Sequence, residues 1–576
     1  FIDNLIVSQN LVFYSFRSLI LAPEVVENIV ISRAQNQFDI TMRKLTLLTF
    51  AILLSVFSFA QSLSIDWGTS FDSSTDVQKI LGFSDNKMIV FSSKGKSRFI
   101  EEYKEDGFSQ LSSNKYELPE IPGQSVGLLN ITISEGDVLV VLYGYNKKAK
   151  SFSLYKQTLR TNGKEKTKLD EFYTSEGDED KIKDAIVDVR FSPDNSKMLV
   201  FFDRADRERL KFMSDVVLID LKSLDKGVES TSVEYAMRDA KSESVSFKMT
   251  HNVDNEGAYF FISQKTEFAK KIISNFELNV AAYNSKGEKI GESEVSDKEA
   301  LLLNPTMVKT DKGYSMVGYY MTNPKKRALI TGYTGLFVAK LDKGMNVTEI
   351  KKNDFNDDFF KDLYSDRYIR RMKEKNKEIQ VPAPYSMDNV VLHADGTMTI
   401  LSEYFLVTVT QDSKGAKTTV TNYGHIIYYK ISVDGEITVA DVVKKNQVST
   451  TQSISFGIGG ALSMFASFET KDQRKKYWSY SLAVKGDVVY LLFNDHRKNE
   501  VNEDGEISAS LVNPAKGLPF LVEIREDGTF TKKAMAEASD EDTYCVPQIT
   551  YQTEVDEFII WGVKRKENKF GKATIN

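Results

Sequence analysis

The chain has 576 residues, of which 41 % are apolar and 11 % aromatic, and a formal net charge of −6. That is enough apolar surface for a large core and too much for a chain that stays unfolded. The 75 basic residues are interleaved with 81 acidic ones, which argues against nucleic acid as a partner, because neutralising phosphates needs clustered Lys and Arg.

In chain order, no Met precedes Met42, where the sequence becomes MRKLTLLTFAILLSVFSFAQ (42–61). Arg43 and Lys44 form a basic n-region and Leu45 to Phe59 an apolar h-region of roughly 15 residues, with small residues before a cleavage point after Ala60. We expect a signal peptide over 42–60, a mature chain from Gln61, and upstream translation rather than protein over 1–41. The h-region is short for a spanning helix, and Gln61, Ser62, Ser64 and Asp66 follow at once. The SFAQ ending resembles signal peptides of exported Bacteroidota proteins. No Cys follows the h-region, which excludes a lipoprotein anchor, and no separate C-terminal export module is evident after the last strand-like run. The expected location is therefore the periplasm, or association with the outer membrane, with retention favoured over release.

From Gln61 onward two kinds of hairpin alternate. The inner kind pairs a strand and a polar turn with a β-rich apolar run. It occurs eight times, at 79–93, 128–145, 188–204, 247–264, 305–321, 388–405, 479–495 and 547–564. Continuous β-branched and aromatic runs mark strands buried on both faces. The outer kind is more charged and alternates. It occurs at 98–111, 151–169, 215–233, 276–295, 335–350, 426–442 and 519–534, and the eighth is cut short at 569–576. The Asp527-Gly528 turn of the last complete copy is typical, because Gly accepts the positive φ that tight hairpin turns need.

One inner plus one outer hairpin makes a four-stranded antiparallel unit of about 40–50 residues, the period of a β-propeller blade. The fold class expected is all-β: a single propeller over 61–576, of eight blades, or seven if one inner hairpin is something else. The alternating segment Leu63–Trp67 should supply the missing outer strand of the last blade and close the ring, which removes free edges. Separate sandwich domains would need linkers rich in Pro, Gly or Ser, and none separates the units. RFSPDNSKMLV (190–200) resembles the inner hairpin of WD40- and TolB-like blades; no regular WD dipeptide or other family motif accompanies it.

Turns within hairpins are short, whereas the long inserts fall between hairpins in units four to seven, which puts them on one face of the disc. The insert at 353–386 predicts one helix over Asp357 to Glu378, with acidic residues first and basic residues last. Its stripe of Phe359, Leu363, Tyr368 and Met372 packs on the disc or, through Phe359 and Tyr368, meets a partner. The insert at 444–478 contains TQSISFGIGGALSMFASF (451–468), apolar, Gly-rich and uncharged. Phe456, Ile458, Leu462, Met464, Phe465 and Phe468 would either fold back over the channel or contact a partner or membrane surface through 454–468. Gly457, Gly459 and Gly460 lack the Lys-Ser/Thr of a phosphate loop.

Four His residues offer chemistry. His251 and His393 fall in inner-hairpin turns, on the plain face. His425 and His496 fall on the loop face, where Glu403, His425, Asp495 and His496 could converge at the channel mouth to bind a divalent metal or act as acid and base. No HExxH or Gly-x-Ser-x-Gly motif supports this, and no α/β module that a propeller peptidase needs is present. Acidic turns at Asp194-Asn195 and Asn502 to Gly505 could take Ca²⁺ but are ordinary turn chemistry first; no other cofactor is implied. The single Cys545 permits no internal disulfide and no Cys-based metal site, and reads as a small buried hydrophobe. The expected function is a non-catalytic envelope propeller that binds a protein partner through its loop face, as a scaffold in an envelope or secretion assembly. The alternative is a glycan- or metal-binding propeller, a hydrolase or lyase, with its site at the channel mouth. The oligomeric state is not written in the sequence.

Overall fold

Each inner and outer hairpin pair forms one four-stranded antiparallel sheet, and there are eight of them. The computed structural model describes residues 63–575, except 147, 150, 176–185, 207–210, 223–228, 237–243, 270–271, 323–331, 413–415, 455–476, 500–508, 536–542, 555 and 565–566. The chain divides after Ser62, and the propeller is the unit Leu63–Asn576. The expected signal peptide and the apolar residues Phe456 to Phe468 lie outside the described residues.

Strands run A to D outward from the axis. In blade one they are Asp76–Ser84, Lys87–Lys94, Ser97–Lys104 and Gln110–Tyr116. Blade eight is built from Tyr544–Glu554, Glu557–Lys564, Glu567–Ile575 and, from the other end of the chain, Leu63–Trp67. The closing strand is in register from Leu63 opposite Ile575 to Trp67 opposite Gly571. Trp67 lies over Gly562 and Gly571, where a Cβ on Gly562 would come within 2.4 Å of the indole.

Alternation along each strand puts apolar side chains on both faces of every inner sheet, so the core is divided among the seams between blades. One buried cluster joins each successive pair of blades around the ring, including blades eight and one through Val77, Met88, Ile559 and Trp561. Polar bridges link the inner strands as well. Lys79 Nζ on blade one donates to Asn130 Oδ1 (3.0 Å) and the Ile131 carbonyl (2.9 Å) on blade two, and enclosure by protein pulls its ammonium down to about 8.

Two sequence expectations need correction. The outer strand of blade two is Asp170–Thr174, beyond the expected hairpin at 151–169, because the Arg160–Gly163 turn folds back on the third strand through Lys166 and Thr167. The insert in blade five holds two helices rather than one, α1 (Asp357–Leu363) and α2 (Asp366–Glu374). Tyr364 between them has extended backbone (φ −127°, ψ 152°), and Ser365 restarts the helix. Asn356 caps α1 by accepting from the Phe359 N–H at 2.8 Å. The break turns the two halves differently: α1 buries Phe359, Phe360 and Leu363 in the seam between blades five and six, and α2 buries nothing. A buried side chain of this kind is worth about 1.5–3 kcal/mol.

Candidate functional site

The loop face of blades five to seven carries an arm and a buried polar network. The arm begins where blade six overshoots the disc. Its B and C strands are Met398–Gln411 and Ala416–Ile431, far longer than those of other blades. The Val- and Thr-rich run LVTVTQ (406–411) keeps strand geometry going, from Phe405 opposite Tyr423 to Gln411 opposite Lys417. That projects roughly 20 Å at ~3.3 Å per residue. A third strand, Gln447–Ile454, pairs with the C strand from Tyr423 to Ala416.

Phe405, Tyr423, Tyr477, Trp478 and Leu511 form a separate apolar cluster at its foot. Leu511 ties the next insert to it through backbone bonds with Asn446 and Val448 (2.8 and 2.9 Å). Among the described residues the segment from Leu406 to Gln411 is paired on one side only, and it exposes Val407 (44 %) and Val409 (58 %).

Beneath the arm, in the seam between blades six and seven, lies a lysine-centred network. Lys445 is fully buried and its ammonium contacts Glu403 Oε1 and Gln447 Oε1 (3.2 Å). Ser479 Oγ donates to Glu403 Oε2 (2.5 Å). Gln447 accepts from the Ser479 N–H (2.8 Å) and donates to the Asn494 carbonyl (2.7 Å). The Glu403 N–H donates to Asp388 Oδ2 (2.7 Å). Asp388 stands on the innermost strand, open at its surface but with protein crowded around its carboxyl. That enclosure, then the charge of Glu403, pushes its carboxyl up to about 7.

Of the four residues expected to converge, two share a partner. Glu403 meets the Lys445 ammonium and His425 Nδ1 donates to the Lys445 carbonyl (2.8 Å); burial lowers the His425 imidazole. Asp495 belongs to a second pair, with Lys532 Nζ at 2.6 Å and Asn499 Nδ2 at 2.8 Å. Lys532 connects the pairs by donating to the Lys444 carbonyl (2.9 Å) and lies 4.8 Å above the Phe520 ring. His496 turns away: its Nδ1 accepts from the Lys498 N–H (3.1 Å). Both carboxylates are thus paired with a lysine of their own blade and accept further hydrogen bonds, Glu403 from Ser479 and Asp495 from Asn499.

The remaining candidates divide by burial. Phe359 is 2 % exposed and packs on Phe355 and Tyr429, so the core absorbs it. Tyr368 is 38 % exposed and stacks on Tyr364 at 4.4 Å. His251 was expected in a hairpin turn but lies on the innermost strand of blade four, opposite Phe261, where it is buried with Ser214 and Asp203 of blade three. They are no catalytic triad, because the serine sits in the middle: Ser214 Oγ donates to Asp203 (2.6 Å) and lies 3.0 Å from His251 Nε2. Burial holds that imidazole neutral, down to about 3. Asp194 Oδ1 accepts from Ser192 Oγ, Ser196 N–H and Ser196 Oγ, which is turn chemistry; Asn502 to Gly505 lies outside the described residues. Among the described residues no group of three His, Cys, Asp or Glu side chains could hold a metal ion.

Sequence reasoning missed Lys445, Lys532, Ser479 and Gln447. Lys444 and Lys445 look alike in a row; only the alternation of the preceding strand, Ile437–Val443, hints that one of the two must turn inward.

No protein-family model matches the chain, and no curated protein matches it. It is similar to the WD40 domain of SCAP from fission yeast, with 8 % identity over 89 % of this chain and 98 % of that one and a TM-score of 0.29. The Dos1 propeller matches with 8 % identity over 88 % and 94 %, TM-score 0.32. The polysaccharide lyase Uly1 matches with 9 % identity over 87 % and 89 %, TM-score 0.34. At such values the likeness carries no argument about function; the propeller rests on the strand pairings.

Proposed function

We propose that this chain is a non-catalytic, exported propeller of the cell envelope that binds a protein partner through the loop face of blades five to seven. The observation that carries the reading is the arm: an edge strand with exposed Val407 and Val409, standing off a rigid disc. Edge strands left open in this way are templates for pairing with another chain, and function concentrates on loops held by a scaffold. The apolar sequence 454–468, which follows the arm directly, adds a partner or membrane-surface contact. A periplasmic or outer-membrane-associated location without a lipid anchor follows from the segment at 42–60.

The test is a Val407→Glu/Val409→Glu variant, with deletion of Ser453–Ser467 as a second. Each should abolish co-purification of a partner from envelope fractions while leaving the thermal transition unchanged. Undiminished co-purification from both refutes the reading. A glycan- or metal-using site at Glu403, His425, Asp495 and His496 has less support, because both carboxylates are already paired with lysines.

A further inference from the structure

Helix α2 has no structural work that its composition explains. It buries no residue, yet it is built from DRYIRRMKE and followed by Lys375 and Lys377. The helical period puts Arg367, Arg370 and Arg371 at i, i+3 and i+4, one above another on a single face, and all three are exposed. On and beside the two helices lysines hold ion pairs: Lys361 with Asp358 (2.6 Å) and Lys373 with Asp357 (2.9 Å). Among the described residues none of the three guanidinium groups is in an ion pair. Glu374 is the one carboxylate on their face, in a chain whose formal net charge is −6.

We propose that this guanidinium face is the electrostatic anchor of the partner interface, and that it takes an acidic, extended polypeptide segment. The inference rests on the partner-binding reading above and names the chemistry of the partner. Guanidinium forks read carboxylates two bonds at a time. Neighbours on the helix surface stand ~5–6 Å apart, close to the ~6.6 Å between alternate side chains of a strand. A segment with carboxylates at alternate positions therefore matches the Arg face. Beside it Tyr368 lies flat on Tyr364, whose hydroxyl is tied to the Gln380 carbonyl at 2.7 Å. Arg with a fixed Tyr is the composition of interface hot spots. A lipid surface fits less well: Ile369 and Met372, the apolar residues of α2, are half-buried, so the helix has no free apolar face to insert.

The probe is fluorescein-labelled poly-L-glutamate, titrated with the purified chain and read by anisotropy. The triple variant Arg367→Gln/Arg370→Gln/Arg371→Gln should bind about tenfold or more weakly, as expected from three exposed ion pairs. The triple Arg→Lys variant keeps the charge without the fork and should fall between. A control that loses the same charge elsewhere, Lys340→Gln/Lys351→Gln/Lys352→Gln, should stay within about twofold, and raising the salt should weaken the wild type. Since α2 buries nothing, the variants should keep the wild-type thermal transition. Equal binding by the Arg→Gln triple, an equal loss in the control, or binding to phosphatidylglycerol vesicles in preference to polyglutamate would each overturn the proposal. Val407→Glu/Val409→Glu separates the two readings. If it loses the partner but keeps polyglutamate while the Arg→Gln triple keeps both, the inference falls and the partner reading stands. If polyglutamate binding follows the Arg face and no variant alters partner capture, the partner reading falls and the anionic-segment site stands.

Discussion

Replacing Lys445 by Met removes the cation from a fully enclosed ion pair of blade six that faces blade seven. The Lys445 side chain is 0 % exposed and that of Glu403 is 7 % exposed. The variant leaves a buried carboxylate with Ser479 Oγ as its remaining side-chain donor and strips Gln447 of one donor. Stranding one member of a buried pair costs about 3–5 kcal/mol, mostly desolvation that nothing offsets. With ~2 cal/mol/K of unfolding entropy per residue, a cooperative unit of about 500 residues carries about 1 kcal/mol/K, so the midpoint should fall by about 3–5 °C. The loss should be read by calorimetry and by urea unfolding followed through tryptophan fluorescence, since Trp478 is buried beside the network. The double variant Glu403→Gln/Lys445→Met removes the stranded charge and should return to within about 1–2 kcal/mol of wild type. A loss below about 1 kcal/mol in the single variant, or a double variant as unstable as the two single losses added, would refute the reasoning.

Three further outcomes follow from the structure. The Asp388 carboxyl is raised in the folded chain, to about 7, so the folded state holds a proton that the unfolded state releases; stability should fall as pH rises from about 4 to about 7. Asp388→Asn removes that contribution, and urea midpoints from pH 4 to pH 8 should decline less steeply than in wild type; equal slopes would contradict the assignment. Gly528 has φ +80°, and a Cβ there would lie 2.3 Å from Val439 Cγ2 of blade six, so Gly528→Ala should cost roughly 1–2 kcal/mol in backbone strain and about 1–3 in overpacking, measured as a lowered thermal midpoint. Cys545 is fully buried and its thiol is pushed up to about 12, so it should resist Ellman's reagent in native buffer and react fully in urea; prompt native labelling would place it elsewhere.

The architecture was legible because it is written locally. Eight inner hairpins carry their own turn residues and apolar strand runs, and these pointed to eight blades, with seven left open, without any distant contact. The closing strand was legible for the same reason: Leu63–Trp67 alternates and the last unit lacks a strand, so Leu63 must find Ile575. The side on which the inserts emerge follows from hairpin order alone.

Tertiary structure decided what depends on partners far away in sequence. A single helical stripe was expected from Phe359 to Met372, but the break at Tyr364–Ser365 sends Phe359 into a seam and leaves Tyr368 outside. Glu403 and Asp495 carry the same charge in any reading of the sequence; what they do is set by Lys445 and Lys532, brought to them from other strands. The strand Gln447–Ile454 could have continued into blade seven, yet it pairs backward along the overshooting hairpin and makes the arm. Turn chemistry and alternation act within a few residues and so determine the ring. Which charges are neutralised and which face stays open depend on contacts between segments distant in sequence, which no local pattern encodes.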